Sequence, residues 1–116
     1  MKAFKTIAVL ASLAVSSLAL ADDAQGLGGT ILELEVNTTS ADTYLQYHGR
    51  LVVAGGKNLS TKTEYKWGGT ACGTRVLSDA MVALLQRALE SATPIVPRYQ
   101  TGQGSSQCLV GFKLAS

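Results

Sequence analysis

Residues 77–91 read LSDAMVALLQRALES, and they are the one clear stretch of this chain in which apolar side chains recur at helical spacing. The spacing places a single apolar stripe on one face of a helix, which is typical of a helix packed against a core. Ser78 is a favourable N-cap, and Asp79 in the first turn complements the helix dipole. The Thr93-Pro94 pair is expected to end the helix. We therefore predict one helix over residues 77–91.

Segments on both sides of this helix have the alternation and composition of strands. Residues 30–36 (TILELEV) alternate strictly, so Glu33 and Glu35 share the solvated face of a half-buried strand. The last predicted strand (QCLVGFKL) is apolar on both faces and is therefore expected to be central. The predicted strands cover residues 30–36, 43–54, 60–67, 95–100 and 107–114.

The predicted element order is β-β-β-α-β-β, and the six-residue connection between the first two strands indicates a hairpin. A run of strands, one helix and a second pair of strands favours the α+β class. We predict a small antiparallel sheet of about five strands with one helix packed on one face, cross-linked by one disulfide.

Two cysteines, Cys72 and Cys108, are available for that disulfide. In an oxidising compartment such a pair is most simply a structural disulfide, unless each cysteine pairs between chains. A redox-active pair would need a closely spaced Cys-x-x-Cys motif, which this chain lacks. The bridge would join the segment before the helix to the last strand.

The N-terminus has the features of a signal peptide. Lys2 and Lys5 precede an apolar run over residues 7–18, and Ala19-Leu20-Ala21 has the small-x-small pattern of a cleavage site. The apolar run is too short for a membrane span, which needs about 20 residues. We predict a bacterial, Sec-type signal peptide over residues 1–21, cleaved after Ala21, and a periplasmic or secreted protein.

The exported part is predicted to contain a flexible leader over residues 22–29 and a single domain over residues 30–116. The chain has ten Lys and Arg and eight Asp and Glu, so removal of the two signal-peptide lysines leaves eight of each sign. This balance gives no general attraction to nucleic acid or anionic lipid. No second long apolar run is present, which argues against a membrane-embedded mature protein.

Residue types that carry catalysis or bind metals are sparse. His48 is the only histidine, and no cluster of ligands at metal-binding spacing surrounds it. Glu33 and Glu35 could in principle act as an acid and a base, although a solvated strand face is the simpler interpretation. Gly102-Gln103-Gly104 lacks the third glycine and the following helix of a dinucleotide-binding fingerprint. We expect no catalytic residues, no metal and no cofactor.

A binding surface is the better-supported hypothesis. Basic residues alternate with aromatic residues before the helix, and a mobile-looking loop over residues 101–106 follows a second Arg-Tyr pair. The alternation equally allows the two aromatic side chains of residues 60–67 to point into the core. The candidate binding surface consists of Tyr65, Trp67, Arg75, Arg98, Tyr99 and Gln103.

These features predict a small, exported, non-enzymatic binding or inhibitory module. We expect its partner to be another protein of the envelope or the exterior, with a glycan or a small ligand as alternatives and no nucleic acid. A structural or assembly subunit of an envelope complex is a second hypothesis, in which edge strands near Pro97 or over residues 30–36 pair with another chain. A small hydrolase that uses His48 is the least favoured hypothesis.

Overall fold

A computed structural model describes residues 23–115, so the predicted signal peptide and its cleavage site lie outside the described residues. Within that range the chain forms six strands and two α-helices, with short 3₁₀ turns in three of the connections. The strands are β1 (Ala24–Gln25), β2 (Gly29–Val36), β3 (Gly49–Gly55), β4 (Thr61–Trp67), β5 (Ile95–Thr101) and β6 (Gln107–Leu114); the helices are α1 (Gly69–Cys72) and α2 (Asp79–Ser91); the 3₁₀ turns are Asp42–Leu45, Lys57–Leu59 and Gln103–Ser105.

Five of the six strands close into a barrel. β2, β3 and β4 form an antiparallel meander, and β5 and β6 form an antiparallel hairpin. The two groups meet at Gly29 and Ile95 on one side, and at Lys66 and Cys108 on the other. This last contact is parallel. The predicted α+β class is therefore confirmed, whereas the sheet is not antiparallel throughout and its closure into a barrel was not predicted. Closure removes most free strand edges, which an open sheet would have to protect in other ways.

The barrel strands follow the order β2-β3-β4-β6-β5, with α2 in the connection between the third and fourth of them. This is the arrangement of the OB-fold, a five-stranded Greek-key barrel. The predicted hairpin between the first two barrel strands and the central position of β6 are both present.

Helix α2 completes the core. It begins after Ser78, whose hydroxyl accepts a hydrogen bond from the Met81 amide at 3.2 Å, as the N-cap prediction requires. The helix packs against β2 and contributes Leu85 and Ala88 to the buried cluster. The whole cluster consists of Ile31, Leu51, Val53, Tyr65, Trp67, Leu85, Ala88, Ile95 and Leu109.

Two local features differ from the simple alternation of the sequence. The predicted strand over residues 43–54 begins only at Gly49, because Asp42–Leu45 form a 3₁₀ turn instead. The Tyr44 ring of this turn stacks on the His48 ring, with the two ring centroids 4.1 Å apart. In β2, a bulge between Ile31 and Glu33 shifts the register, so Ile31 is buried while Leu32 is 45% exposed.

The segment predicted as a flexible leader is part of the fold. Ala24 and Gln25 pair with Tyr99 and Arg98 of β5, and the Gly26 amide donates a hydrogen bond to the Pro97 carbonyl at 2.8 Å. These residues pair because β5 offers an edge with which a polar, glycine-rich sequence can form backbone hydrogen bonds. No helix within residues 23–115 is long and apolar enough to cross a membrane.

Candidate functional site

The predicted disulfide between Cys72 and Cys108 is confirmed. Cys72 is the last residue of α1 and Cys108 is the second residue of β6, and both are buried. The bond therefore attaches α1 to the barrel beside the point where β4 and β6 meet. The bond is therefore one of the contacts that fix the position of α1, a single helical turn, and of the surface around it.

A groove with polar walls runs over this part of the surface. It consists of three open recesses with volumes of about 420, 420 and 360 Å³. The first two recesses share Thr70, Ala71 and Gln103, and the second and third share Lys66 and Gly104. The recesses are therefore adjacent, and we refer to them together as the polar groove. Its walls are α1, the β2–β3 connection at residues 46–47, and the β5–β6 loop at residues 102–106.

The side chains that line the polar groove are mainly amides, hydroxyls and cations. Glu64 is the one carboxylate among the lining residues, and its Oε2 is bound by Arg50 Nη1 at 2.8 Å. Lys62, Lys66 and Arg75 supply positive charge along the length of the groove. The groove is thus cationic on a domain that is close to neutral as a whole, which favours polar or anionic ligands.

Two close backbone contacts hold the walls of the groove together. Gly69 has a φ of +67°, and a Cβ atom there would overlap the backbone of Gln46. The Ala71 amide also donates to the Gln46 carbonyl at 3.0 Å, so the β2–β3 connection is fixed to α1. On the other side, Gly102 lies so close to the Ala71 carbonyl and the Cys108 sulfur that no Cβ atom would fit. The groove is therefore formed before any ligand arrives, which lowers the entropy cost of binding.

Arg75 forms part of the first recess and also holds the chain after α1. Its Nε donates to Gln100 Oε1 at 2.8 Å, and its Nη1 donates to the Cys72 carbonyl at 3.2 Å. Gln100 in turn donates from Nε2 to Asp23 Oδ1 at 2.7 Å. Arg75 is therefore a positioning residue that fixes the wall as well as a source of positive charge.

Tyr47 supplies the aromatic surface of the second recess. Its hydroxyl donates to Glu35 Oε2 at 3.4 Å, and the Lys66 ammonium lies 5.0 Å from the centroid of its ring. Burial, followed by the negative charge of Glu35, raises the pKa of the Tyr47 hydroxyl, which therefore stays protonated and can donate. The Tyr47 ring and the aliphatic part of the Lys66 side chain together form a largely apolar patch in an otherwise polar groove.

Arg50 binds the carboxylates on the neighbouring outer face of the barrel. It contacts Glu33 at 2.6 Å, Glu35 at 2.9 Å and Glu64 at 2.8 Å. The hydrogen bond from Arg50 is the main cause that lowers the pKa of Glu35, and the three carboxylates raise the pKa of Arg50. The Glu33 and Glu35 pair is therefore bound to a cation, which favours the carboxylate form and opposes a role for Glu35 as a general acid.

The structure divides the predicted binding surface into three groups. Gln103 and Arg75 line the polar groove together. Tyr65 and Trp67 are only 1% and 2% exposed, because they point into the barrel from β4, so they cannot contact a partner at the surface. This corrects their inclusion in the candidate surface.

Arg98 and Tyr99 form the third group, which lies outside the groove. Arg98 is exposed on β5, where it pairs with Gln25 of β1 and Gly111 of β6. Tyr99 is half-buried, with its ring centroid 5.7 Å from that of Tyr65. Neither residue lines any of the three recesses among the described residues.

Sequence reasoning missed Gln46, Tyr47 and Thr70 as groove residues. Their neighbours along the chain give no sign of a site, because they reach the groove only through the contact between α1 and the β2–β3 connection. Lys66 was noticeable as one of several basic residues around Tyr65, but its outward direction became clear only from the barrel.

The contacts of His48 are those of a residue packed within the fold. Its ring stacks on Tyr44, its backbone amide donates to the Trp67 carbonyl at 2.7 Å, and a Cβ atom at Gly68 would overlap its ring. Within residues 23–115, no three or more His, Cys, Asp or Glu side chains are grouped so that they could hold a metal ion.

No protein-family model matches this chain, and no similar protein was found among curated proteins or solved structures. A function therefore has to be argued from the geometry and chemistry of the polar groove.

Proposed function

We propose that this protein is a non-enzymatic binding module that holds an extended polar ligand in the polar groove. The observation that carries the proposal is that the three recesses lie side by side, with walls fixed by the disulfide and by the contacts of Gly69 and Gly102. A long, open and pre-formed groove favours a ligand that lies along it over a small molecule that must be enclosed.

The lining chemistry supports a ligand with many hydrogen-bonding groups. Gln46 and Gln103 each offer donors and an acceptor, while Lys66 and Arg75 attract negative charge. The Tyr47 ring adds an apolar surface on which a flat or aliphatic group can rest. Such a mixture suits an extended peptide or a polar glycan.

Analogy with other OB-fold barrels supports the same location for the binding site. OB-fold barrels bind extended polymers on the face of their second and third strands, between the loops that follow the first and fourth strands. In this chain those strands are β3 and β4, and those loops contain residues 46–47 and 102–106. The analogy concerns the position of the site and leaves the ligand open.

We propose that the partner is a protein of the bacterial envelope or exterior, and that the module acts after export. The signal-peptide pattern of residues 1–21 supports export, and the Cys72–Cys108 disulfide suits an oxidising compartment. A glycan or a small ligand is the alternative occupant of the groove.

A pull-down with matched variants tests this proposal. The oxidised mature chain serves as bait against native envelope and culture medium, beside a Lys66→Ala/Gln103→Ala variant and an Arg98→Ala variant. Thermal melts establish that all three baits are folded. We expect the wild-type and Arg98→Ala baits to retain the same ligand and the groove variant to lose it. Retention by the groove variant, with loss by Arg98→Ala, would move the binding surface to β5 and reject the groove.

A further inference from the structure

One edge of β4 is unpaired although the barrel is closed. β4 pairs with β3 over all seven of its residues, from Thr61 to Trp67. On its other side it pairs with β6 at Lys66 alone, so within residues 23–115 no strand pairs with that side between Thr61 and Tyr65. Backbone N–H and C=O groups directed to this side are open to pairing with another chain. Tyr65 is only 1% exposed, so we refer to residues 61–64 as the open edge.

The third recess of the polar groove lies directly against this edge. Its lining residues come from β4, and from residues 104–107 in the β5–β6 loop and at the start of β6. The gap of about 360 Å³ is thus bounded by a strand edge on one side and a loop on the other. The two edges expected from the sequence have other neighbours. Pro97 of β5 pairs with Phe112 and accepts from Gly26. β2 pairs with β5 at Gly29 alone on the side away from β3, and α2 packs against β2.

We propose that the groove ligand is an extended polypeptide segment that pairs with the open edge as an added strand. The inference rests on the proposed function and names its ligand class. Main-chain hydrogen bonds to a free strand edge give affinity, and alternate side chains of the added strand give specificity. The open edge spans four residues, so it accommodates a paired segment of about four residues, roughly 13 Å long.

The charges on the outer face of β4 indicate which side chains the added strand should carry. Lys62, Glu64 and Lys66 alternate outward, and Glu64 is already bound by Arg50. Opposite charges directly across two strands attract, so an added strand should carry an acidic side chain facing Lys62 and a neutral side chain facing Glu64. Lys66 already pairs with Cys108 of β6, so the added strand ends before it. The expected pattern is therefore an acidic and a neutral residue two positions apart.

Short synthetic peptides test this proposal with the oxidised mature protein. The probe is a fluorescein-labelled heptapeptide, TDTSTDT, which presents the acidic-x-neutral pattern in either strand direction. Its control is TNTSTNT, which has the same size but lacks the two negative charges. Two further versions of the probe carry N-methyl groups at either the odd or the even positions. In an added strand only alternate amides face the partner strand, so one methylated set should abolish binding and the other should not. Hydrogen exchange reports on the amides of residues 61–64.

We expect TDTSTDT to bind about two- to fivefold more tightly than TNTSTNT, with slower exchange at the open edge. A Lys62→Ser protein should lose most of that preference, while Lys113→Ser on β6 should keep it. The proposal is overturned if no peptide binds up to about 1 mM, or if the two methylated sets behave alike. If the pull-down identifies a ligand that depends on Lys66 and Gln103 while these peptides fail, the groove stands as the site and strand addition is rejected.

Discussion

Loss of the Cys72–Cys108 disulfide should destabilise the domain by about 4 kcal/mol. The two cysteines are 36 residues apart, and closing a loop of that length removes about 13 cal/mol/K from the entropy of the unfolded chain. At 25 °C this corresponds to about 4 kcal/mol, a large share of the roughly 5–15 kcal/mol that stabilises a typical domain. For a domain of this size the melting temperature should fall by roughly 15–30 °C.

The perturbation is the Cys72→Ala/Cys108→Ala variant, compared with wild-type protein in the presence and absence of a reductant. Urea denaturation followed by circular dichroism gives the free energy of unfolding of each. Reduced wild type and the double variant should show the same loss, because chain entropy does not depend on which atoms replace the sulfurs. A loss below about 1 kcal/mol would refute this reasoning, and it would show that α1 stays in place without the bond.

The remaining predictions concern the core, the β5 surface and the carboxylate cluster. Leu85→Ala should cost about 3 kcal/mol in urea denaturation, because the side chain is fully buried in the main cluster. Tyr99→Ala should cost about 2 kcal/mol, since its ring packs near Tyr65, whereas Arg98→Ala should stay within about 0.5 kcal/mol. Equal effects of those two substitutions would contradict the placement of Tyr99. The pKa of Glu35 lies below its ordinary value of 4.5 in the folded state. The stability that the ionised Glu35 side chain adds to the folded state is therefore complete above pH 4.5 and is lost as the pH falls through the folded pKa. Glu35→Gln should therefore flatten the loss of stability below pH 4.5 in an acid titration, and an unchanged acid profile would contradict this.

Most of the secondary structure could be predicted from local pattern. Helix α2 and its Ser78 cap follow from 3.6-residue spacing, and β6 has the predicted bounds of residues 107–114. Barrel closure could not be predicted, because it depends on single pairings between residues far apart in the chain, such as Lys66 with Cys108. The bulge in β2 was hidden for a related reason, since TILELEV alternates without interruption and only the register against β3 reveals the shift.

Residues of the candidate site could be predicted only where their neighbours in the sequence marked them as surface residues. Gln103 lies in a Gly- and Ser-rich loop, and Arg75 follows a cysteine, so both were visible as surface candidates. Tyr47 was not, because a tyrosine in a strand-like stretch gives no sign of which face it occupies. Tyr65 and Trp67 show the converse error, in which large aromatic residues drew attention to a patch although their alternation with Lys62 and Lys66 placed them in the core.

Photo-crosslinking in the exported protein tests the central claim, that the polar groove is the binding surface, most directly. A benzophenone amino acid replaces Gln103 in one variant and Arg98 in another, and adducts are identified after irradiation of intact cells and culture medium. We predict an adduct from position 103 and none from position 98, because only the former lines the groove. An adduct from position 98 without one from position 103 would contradict the account and place the binding surface on β5.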